Sequence, residues 1–388
     1  MQPLIIIQQG SHPLPEKFFF HTPSKNGVFH INFNKQRRGD YMAGGQFRLA
    51  LQISATYIGT VIGAGFASGQ EIVQFFTMFG SRGLIGIILT GLLFCWLGVK
   101  VLLISNRIGA QSYQDLLHHI CGYPLGSAFN VFVALFLLGG LCVMLAGTGT
   151  ICAFYMNLPY NLGVLITVLM SVVVVLCGIR GIMAANSIVV PLLILVTCAV
   201  SMLSLIYHGV SQNLWGIPPN PYAFTPYWLL SPLLYVAYNM TLALTLLVPM
   251  GGSIKDRRAL VWGGWLGGTG LGLVALLLVV VTLAHYPAAT FEEIPMLFIT
   301  KAQGVYTTVP YIIVLWAEML TTAIASLYGF AQVAQSWTGI RFPFVVLGSI
   351  ILAIIGSQWG FSHLVSILYP LFGYLSLLFI AALAITHQ

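Results

Sequence analysis

Residues 57–71 read Tyr57-Ile58-Gly59-Thr60-Val61-Ile62-Gly63-Ala64-Gly65-Phe66-Ala67-Ser68-Gly69-Gln70-Glu71, inside an apolar run from about residue 47 to 78. Four glycines fall within eleven residues, and each weakens a helix by about 1 kcal/mol relative to alanine. Unwinding is expected at Gly63-Ala64-Gly65. At membrane depth, non-helical backbone is tolerated only where it lines a cavity or is packed in protein. A break here would expose amide groups for a carboxylate on one side and free carbonyls for a cation on the other. The competing reading takes Gly59/Gly63 and Gly65/Gly69 as small-residue pairs that let helices approach closely. Gln70 and Glu71 follow directly, and an ionisable residue inside a span points to function.

That the run crosses a membrane follows from composition. Of 388 residues, 58% are hydrophobic and 6% charged, with a mean hydropathy of +0.94; an average soluble domain has about 25% charged residues. The 23 charged side chains cannot cover a soluble surface of this size. Apolar runs of about 20 residues cross the ~30 Å hydrocarbon core. They place ten helices at roughly 47–78, 84–104, 125–156, 161–178, 187–207, 226–250, 259–284, 306–330, 342–357 and 361–384. The runs are continuous, which disfavours the alternating segments of a β-barrel. The fold class expected is an all-α polytopic membrane protein.

Lys and Arg are retained in cytoplasmic loops. With the N-terminus inside, the inner segments carry Lys35, Arg37, Arg38, Arg48, Lys100, Arg107, Arg180, Lys255, Arg257, Arg258 and Arg341, and the outer loops only Arg82 and Lys301. Both termini are therefore expected on the cytoplasmic side of a bacterial inner membrane. The net charge of +7 reflects this topology and is not read as nucleic-acid binding. Six cysteines without a CxxC pair indicate neither a disulfide framework nor a zinc site. Residues 1–41 are polar and lack the apolar core of a secretory signal; they read as a dispensable tail or a start codon placed too early.

The spans divide into residues 42–207 and 226–388, five in each, joined by an outer connector at 208–225. An odd number of spans per half makes the second half enter from the opposite side, so two halves of like fold form an inverted repeat. In the sixth span, Tyr235-Val236-Ala237-Tyr238-Asn239-Met240-Thr241 is a polar, aromatic patch between Pro232 and Pro249. Tyr235, Tyr238 and Asn239 either bond a ligand at a second break or join neighbouring helices. In the eighth span, Glu318, Thr321 and Thr322 share one helix face. Their oxygens suit a hard cation such as Na⁺. They equally suit a proton carrier, since a carboxyl group in a low dielectric can hold a proton. The threonines alone say little, because they often bond back to their own helix.

The string from Ile58 through Ile72, with the five-plus-five layout, resembles the amino acid–polyamine–organocation superfamily and its leucine-transporter fold, and within it the YkvI-like bacterial membrane proteins. The resemblance spans residues 42–384 or so and implies discontinuous first and sixth helices. It implies a solute site at Gly63, Ala64, Gly65, Phe66, Ala67, Ser68 and Glu71 of the first helix, completed by Tyr235, Tyr238 and Asn239. It implies an ion site of the Gly59 and Ile62 carbonyls with Glu318, Thr321 and Thr322. Proton-coupled relatives can carry a lysine in the fifth span; residues 187–207 hold neither Lys nor Arg, which favours Na⁺ over H⁺. Glu71 and Glu318 depart from the simple sodium pattern and leave proton coupling or a cationic solute open.

The function these expectations describe is ion-coupled secondary transport of a small organic solute, an amino acid or related amine, by alternating access. The alternative is a receptor or sensor that binds a small ligand on the same fold without moving it. No HExxH, GxSxG or phosphate-binding loop supports an enzyme. The partners expected are the solute and the bilayer, with Na⁺ or H⁺ as coupling ion and no other cofactor. Gln111–Ile120 reads as a short amphipathic segment, Trp215 as an interfacial anchor, and residues 285–303 more readily as a solvated loop than as a lid helix.

Overall fold

The first span is a helix in three pieces. Helix α1 (Ala43–Val61) ends with a ladder bond from Ile62 N to Ile58 O (2.8 Å), and the next is Ala67 N to Gly63 O (3.0 Å). No ladder bond links the amides of residues 63–66 to the carbonyls of residues 59–62. Helix α2 (Ala64–Ser68) is one short turn, and Gly69, at φ 82°, redirects the chain into α3 (Gln70–Phe75). The break thus falls at Ile62-Gly63, slightly ahead of the expected Gly63-Ala64-Gly65, with a second bend at Gly69. A 3-10 turn at Thr77–Phe79 and Gly80 lead into α4 (Ser81–Ile108). Gly80 is required there: its φ is 57°, and a Cβ would lie 2.3 Å from the Ile217 carbonyl oxygen of the connector.

The computed structural model describes residues 43–177, 180–209 and 214–385. The tail at 1–41 lies outside the described residues. Helix α5 (Tyr113–Thr150) starts at a capping box of Ser112 and Asp115 and kinks at Gly122 (φ 75°). The turns before the kink bury Leu116 and Leu117 and expose Asp115 and His119, the amphipathic pattern read from the sequence. The remaining helices are α6 (Tyr160–Cys177), α7 (Arg180–His208), α8 (Leu230–Ser253), α9 (Arg257–Ala284), α10 (Pro295–Gln303), α11 (Val305–Thr338), α12 (Phe342–Ser357) and α13 (Phe361–Ile385). No strand occurs among the described residues.

Seven helices are long and apolar enough to cross a membrane, and Tyr160–Leu176 and Phe342–Ser357 are shorter apolar helices. The broken first span adds a further apolar segment. The packing is inside out relative to a soluble protein: Leu92, Leu135, Leu195 and Leu378 are each more than half exposed, while Ser68, Thr77, Thr90 and Ser231 are fully buried. Lipid accepts the first group; the second finds partners inside.

Helix packing follows an exchange rule. Taking α1–α3, α4, α5, α6 and α7 as one half and α8, α9, α11, α12 and α13 as the other, each of the first four elements packs on its counterpart: α1 on α8, α4 on α9, α5 on α11, α6 on α12. Other contacts come in twins. Helix α1 packs on α9 and α4 on α8; α5 on α13 and α11 on α7; α5 on α12 and α11 on α6. A two-fold relation between inverted halves produces such twinning. It fails around α7 and α13. Helix α8 packs along α13, whereas its twin contact joins α7 to the first span chiefly through α2, and α7 packs on α9 without a contact of like extent between α13 and α4.

Two expectations are corrected. The sixth span is not broken: α8 runs without interruption from Leu230 to Ser253. No glycine lies between residues 230 and 250 to weaken it, and two of its polar side chains turn back on their own helix, Asn239 Nδ2 donating to Tyr235 O (2.9 Å) and Thr241 Oγ1 to Ala237 O (3.0 Å). Pro232 sits in the first turn, where a missing amide costs little. Residues 285–303 are not a solvated loop, because α10 buries Met296, Leu297 and Ile299 completely.

Close helix packing through glycine is most extensive on α9; in the first span a Cβ on Gly59 would lie 3.3 Å from Val190 of α7, and one on Gly69 2.9 Å from Met296 of α10. A Cβ on Gly263 or Gly267 would lie 2.6 or 2.5 Å from side-chain atoms of Ile53 or Tyr57 on α1, while Gly264, Gly268 and Gly272 meet Val99, Cys95 and Gly91 on α4. Two rows of glycine at four-residue spacing thus face two different helices.

Candidate functional site

The bend at Gly69 turns the first residues of α3 into the interior. Glu71 is buried there, and its Oε2 accepts a hydrogen bond from the Tyr238 hydroxyl of α8 at 2.6 Å. The Tyr369 hydroxyl of α13 is also hydrogen-bonded to the carboxylate. Oε1 rests on Gly65: a Cβ built there would lie 1.9 Å from it and 3.0 Å from the Tyr369 hydroxyl. The recess that holds the carboxylate exists because residue 65 has no side chain. Among the described residues no cationic side chain bonds Glu71.

Aromatic rings surround this group. Tyr238 lies with its ring centroid 5.6 Å from Phe75, 5.5 Å from Tyr235 and 5.2 Å from Tyr369. Tyr235 in turn meets Phe75, Phe76 and Phe94 edge-on at 5.4, 5.0 and 6.1 Å. Such pairs stabilise by about 0.5–1.5 kcal/mol beyond their buried area, so the four helices that meet here are held by rings. The Tyr235 hydroxyl is fully buried and makes no hydrogen bond of ordinary geometry; the Asn239 side chain lies beside it, its Nδ2 donating to the Tyr235 carbonyl.

The short helix α2 is fastened on both sides. Ser68 Oγ donates to Gly65 O (2.7 Å) and accepts from Gln70 N (3.2 Å), bridging the bend. The Tyr311 hydroxyl of α11 donates to Ala67 O at 2.5 Å and lies 3.3 Å from Thr197 Oγ1 of α7. Gln70 Nε2 donates to Ser362 Oγ (2.6 Å) at the start of α13, and Ser362 N donates to Glu293 Oε2 (2.7 Å). Met296 of α10 covers Gly69, approaching to 2.9 Å of a Cβ there. Ala64 and Phe66 are buried in the apolar core. A Cβ on Gly63, by contrast, would meet nothing within 4 Å.

The second set of residues lies on α11. Glu318 is buried with Oε2 unpartnered. Thr322 is hydrogen-bonded to its side chain, and Thr321 Oγ1 donates to Glu318 O at 3.1 Å. These are hard oxygen ligands of the kind Na⁺ prefers, and the unbonded carbonyls of Gly59 and Ile62 are of the same kind. Among the described residues no hydrogen bond joins the two groups, and α11 meets the first span at α2. Gly65, Glu71, Tyr235 and Tyr238 are therefore brought together, whereas the oxygens of α1 and α11 are not linked.

Tyr369 and Tyr311 were not singled out by sequence. Each adjoins a proline inside a span, Pro370 and Pro310. A tyrosine beside a mid-span proline is the signal that marks both.

Residues 50–217 match the spore germination protein family, known as the spore permease family. The chain is 36% identical to the membrane protein YkvI of Bacillus subtilis (strain 168) over 337 residues, 86% of this chain and 95% of that one. Its fold is similar to that of Mhp1 in an inward-facing conformation, with a TM-score of 0.63 at 13% identity over 84% of this chain and 73% of that one. It is also similar to MhsT in complex with L-phenylalanine, with a TM-score of 0.60 at 18% identity over 87% and 92%. Identities this low speak for the fold alone, the leucine-transporter fold expected from the glycine-rich string. With YkvI aligned over nearly its whole length, the chain belongs to the YkvI family of multi-pass membrane proteins.

Proposed function

We propose that this protein is a secondary active transporter of a small organic solute, an amino acid or related amine, coupled to Na⁺ in preference to H⁺. The observation that carries the reading is the broken first span, which places Glu71 and the Gly65 recess against Tyr238 and Tyr369 in the interior. The solute binds there without covalent chemistry. The failed twin contacts around α7 and α13 support alternating access, because halves of like fold in unlike packing open a central site to one side only. Exchanging the two packings would open it to the other. Coupling requires an ion that binds one packing better than the other, and the oxygens of Gly59, Ile62, Glu318, Thr321 and Thr322 are the ligands proposed for it. The Lys and Arg distribution supports cytoplasmic termini, and ten spans in the bacterial inner membrane complete the reading.

A second reading, a receptor that binds without net transport, is favoured by the match to the spore germination protein family, since germination is a response rather than an accumulation. Solute flux separates the two. Purified protein in proteoliposomes with an inward Na⁺ gradient is expected to accumulate labelled solute, chosen as one that raises the thermal unfolding midpoint. A solute that stabilises the protein but is never accumulated or exchanged decides for the receptor.

A further inference from the structure

Taking the first-span break as the solute site, as proposed above, we infer that the solute is an organic amine that carries no carboxylate, its ammonium group bound by Glu71 and the Tyr235 hydroxyl among the rings of Phe75, Tyr238 and Tyr369.

The recess at Gly65 is the natural place for a solute carboxylate at a broken first span, where free amides adjoin the solute. Here it is filled by the chain's own carboxylate, with Glu71 Oε1 so close to Gly65 that a single methyl group would collide with it. A second carboxylate brought to that point would face like charge in a low dielectric, which disfavours both being ionised. The group that complements Glu71 is a cation. Among the described residues none is supplied: the hydrogen-bond partners of Glu71 are the phenols of Tyr238 and Tyr369.

A second, independent observation is the Tyr235 hydroxyl, fully buried and without a hydrogen bond of ordinary geometry, on the ring that packs 5.5 Å from Tyr238. A buried polar atom left unbonded is costly, so a ligand that reaches it gains affinity. A bare proton on Glu71 would neutralise the carboxylate and leave Tyr235 unsatisfied. An ammonium group has several N–H donors, enough for both oxygens, and its charge is attracted to the faces of the surrounding rings.

The test pairs each amino acid with its decarboxylated counterpart: L-phenylalanine with phenethylamine and L-leucine with 3-methylbutylamine. Thermal unfolding of the full-length protein is measured against each. The amines are expected to raise the midpoint, with the amino acids at least tenfold weaker in apparent affinity. Glu71→Gln, which keeps the size and a hydrogen bond to Tyr238, is expected to lose the amine response by tenfold or more. Tyr235→Phe, which removes only the buried hydroxyl, is expected to weaken it several-fold while leaving the ligand-free midpoint unchanged or raised. Amino acids that bind as well as the amines, or amines without effect, overturn the assignment. Uptake of labelled phenethylamine into proteoliposomes then separates the two readings. Amine binding through Glu71 without uptake leaves the amine assignment standing and overturns the carrier; uptake of amino acids in preference to amines does the reverse.

Discussion

The Tyr311 hydroxyl donates to the Ala67 carbonyl at 2.5 Å, so a side chain of α11 holds the one-turn helix α2 in place. The same oxygen lies 3.3 Å from Thr197 Oγ1, and α2, α7 and α11 therefore meet at one phenol. A five-residue helix has almost no stability of its own. Its position is set by what grips it.

Tyr311→Phe keeps the ring and removes the grip. A buried hydrogen bond contributes about 0.5–1.5 kcal/mol, and the variant leaves the Ala67 carbonyl unsatisfied as well. The thermal midpoint is expected to fall by a few degrees, with the helical far-ultraviolet signal unchanged. Amide hydrogen exchange should rise at residues 64–69 and not in α9. Unchanged exchange there would show that α2 is held by its apolar packing alone.

The glycines of this chain separate into two kinds, and alanine substitution tells them apart. A Cβ at residue 268 would lie 2.4 Å from the Cys95 backbone nitrogen, which cannot move without separating α4 from α9. Gly268→Ala is expected to cost at least 1–3 kcal/mol as an overpacked core position does, read as a loss of yield and of a single elution peak. At Gly63 the backbone is extended and nothing lies within 4 Å of a Cβ. Gly63→Ala is expected to fold as the parent does.

This contrast also marks what was legible in the sequence. Composition and apolar runs are enough to place the helices, because crossing a membrane demands length and hydropathy and little else. The break at Ile62-Gly63 was legible within one or two residues, since glycine acts on the local backbone. The sixth helix was misread because Tyr238 and Asn239 are polar, and polarity alone does not say whether a side chain bonds a ligand or its own helix; only the geometry shows Asn239 turned back on Tyr235. Glu71 was legible as an expensive residue. Its meeting with Gly65, six positions away across a left-handed bend, was not, because that contact depends on the backbone angles of Gly69. The glycine rows of α9 lay in plain view at four-residue spacing, but spacing does not name the partner helix.

Gly65 and Glu71 should be coupled energetically. In Gly65→Ala the new methyl group meets the carboxylate, the free end of a flexible side chain. The carboxylate is expected to swing away from Tyr238 rather than unfold the protein, at a cost of about 1–3 kcal/mol for the buried hydrogen bond. With Glu71→Ala already present, the methyl group meets only the Tyr369 hydroxyl, at 3.0 Å, and the added cost should be much smaller. A double-mutant cycle on unfolding midpoints measures the difference, expected within the 0.5–3 kcal/mol range of residues in contact. A coupling of zero would place the Glu71 carboxylate elsewhere.

The ion site yields the last prediction. Glu318 Oε2 is buried and unpartnered on α11, while the freed carbonyls of Gly59 and Ile62 belong to the end of α1. A cation that engaged both would draw α1 toward α11, and it would therefore bind one packing of the first span better than another. That differential is what coupling needs; an ion bound equally in both packings shifts nothing. Glu318→Gln keeps the shape and one oxygen but removes the charge. It is expected to fold, to retain solute binding at the Glu71 site, and to lose at least tenfold in apparent Na⁺ affinity. The check is solute uptake, and solute-induced stabilisation, in Na⁺ against choline at several pH values. Loss of a pH response with Na⁺ dependence intact would make Glu318 a proton carrier. A variant unchanged toward both Na⁺ and pH would remove Glu318 from coupling and leave the Thr321 and Thr322 hydroxyls, with the α1 carbonyls, as the whole of any ion site.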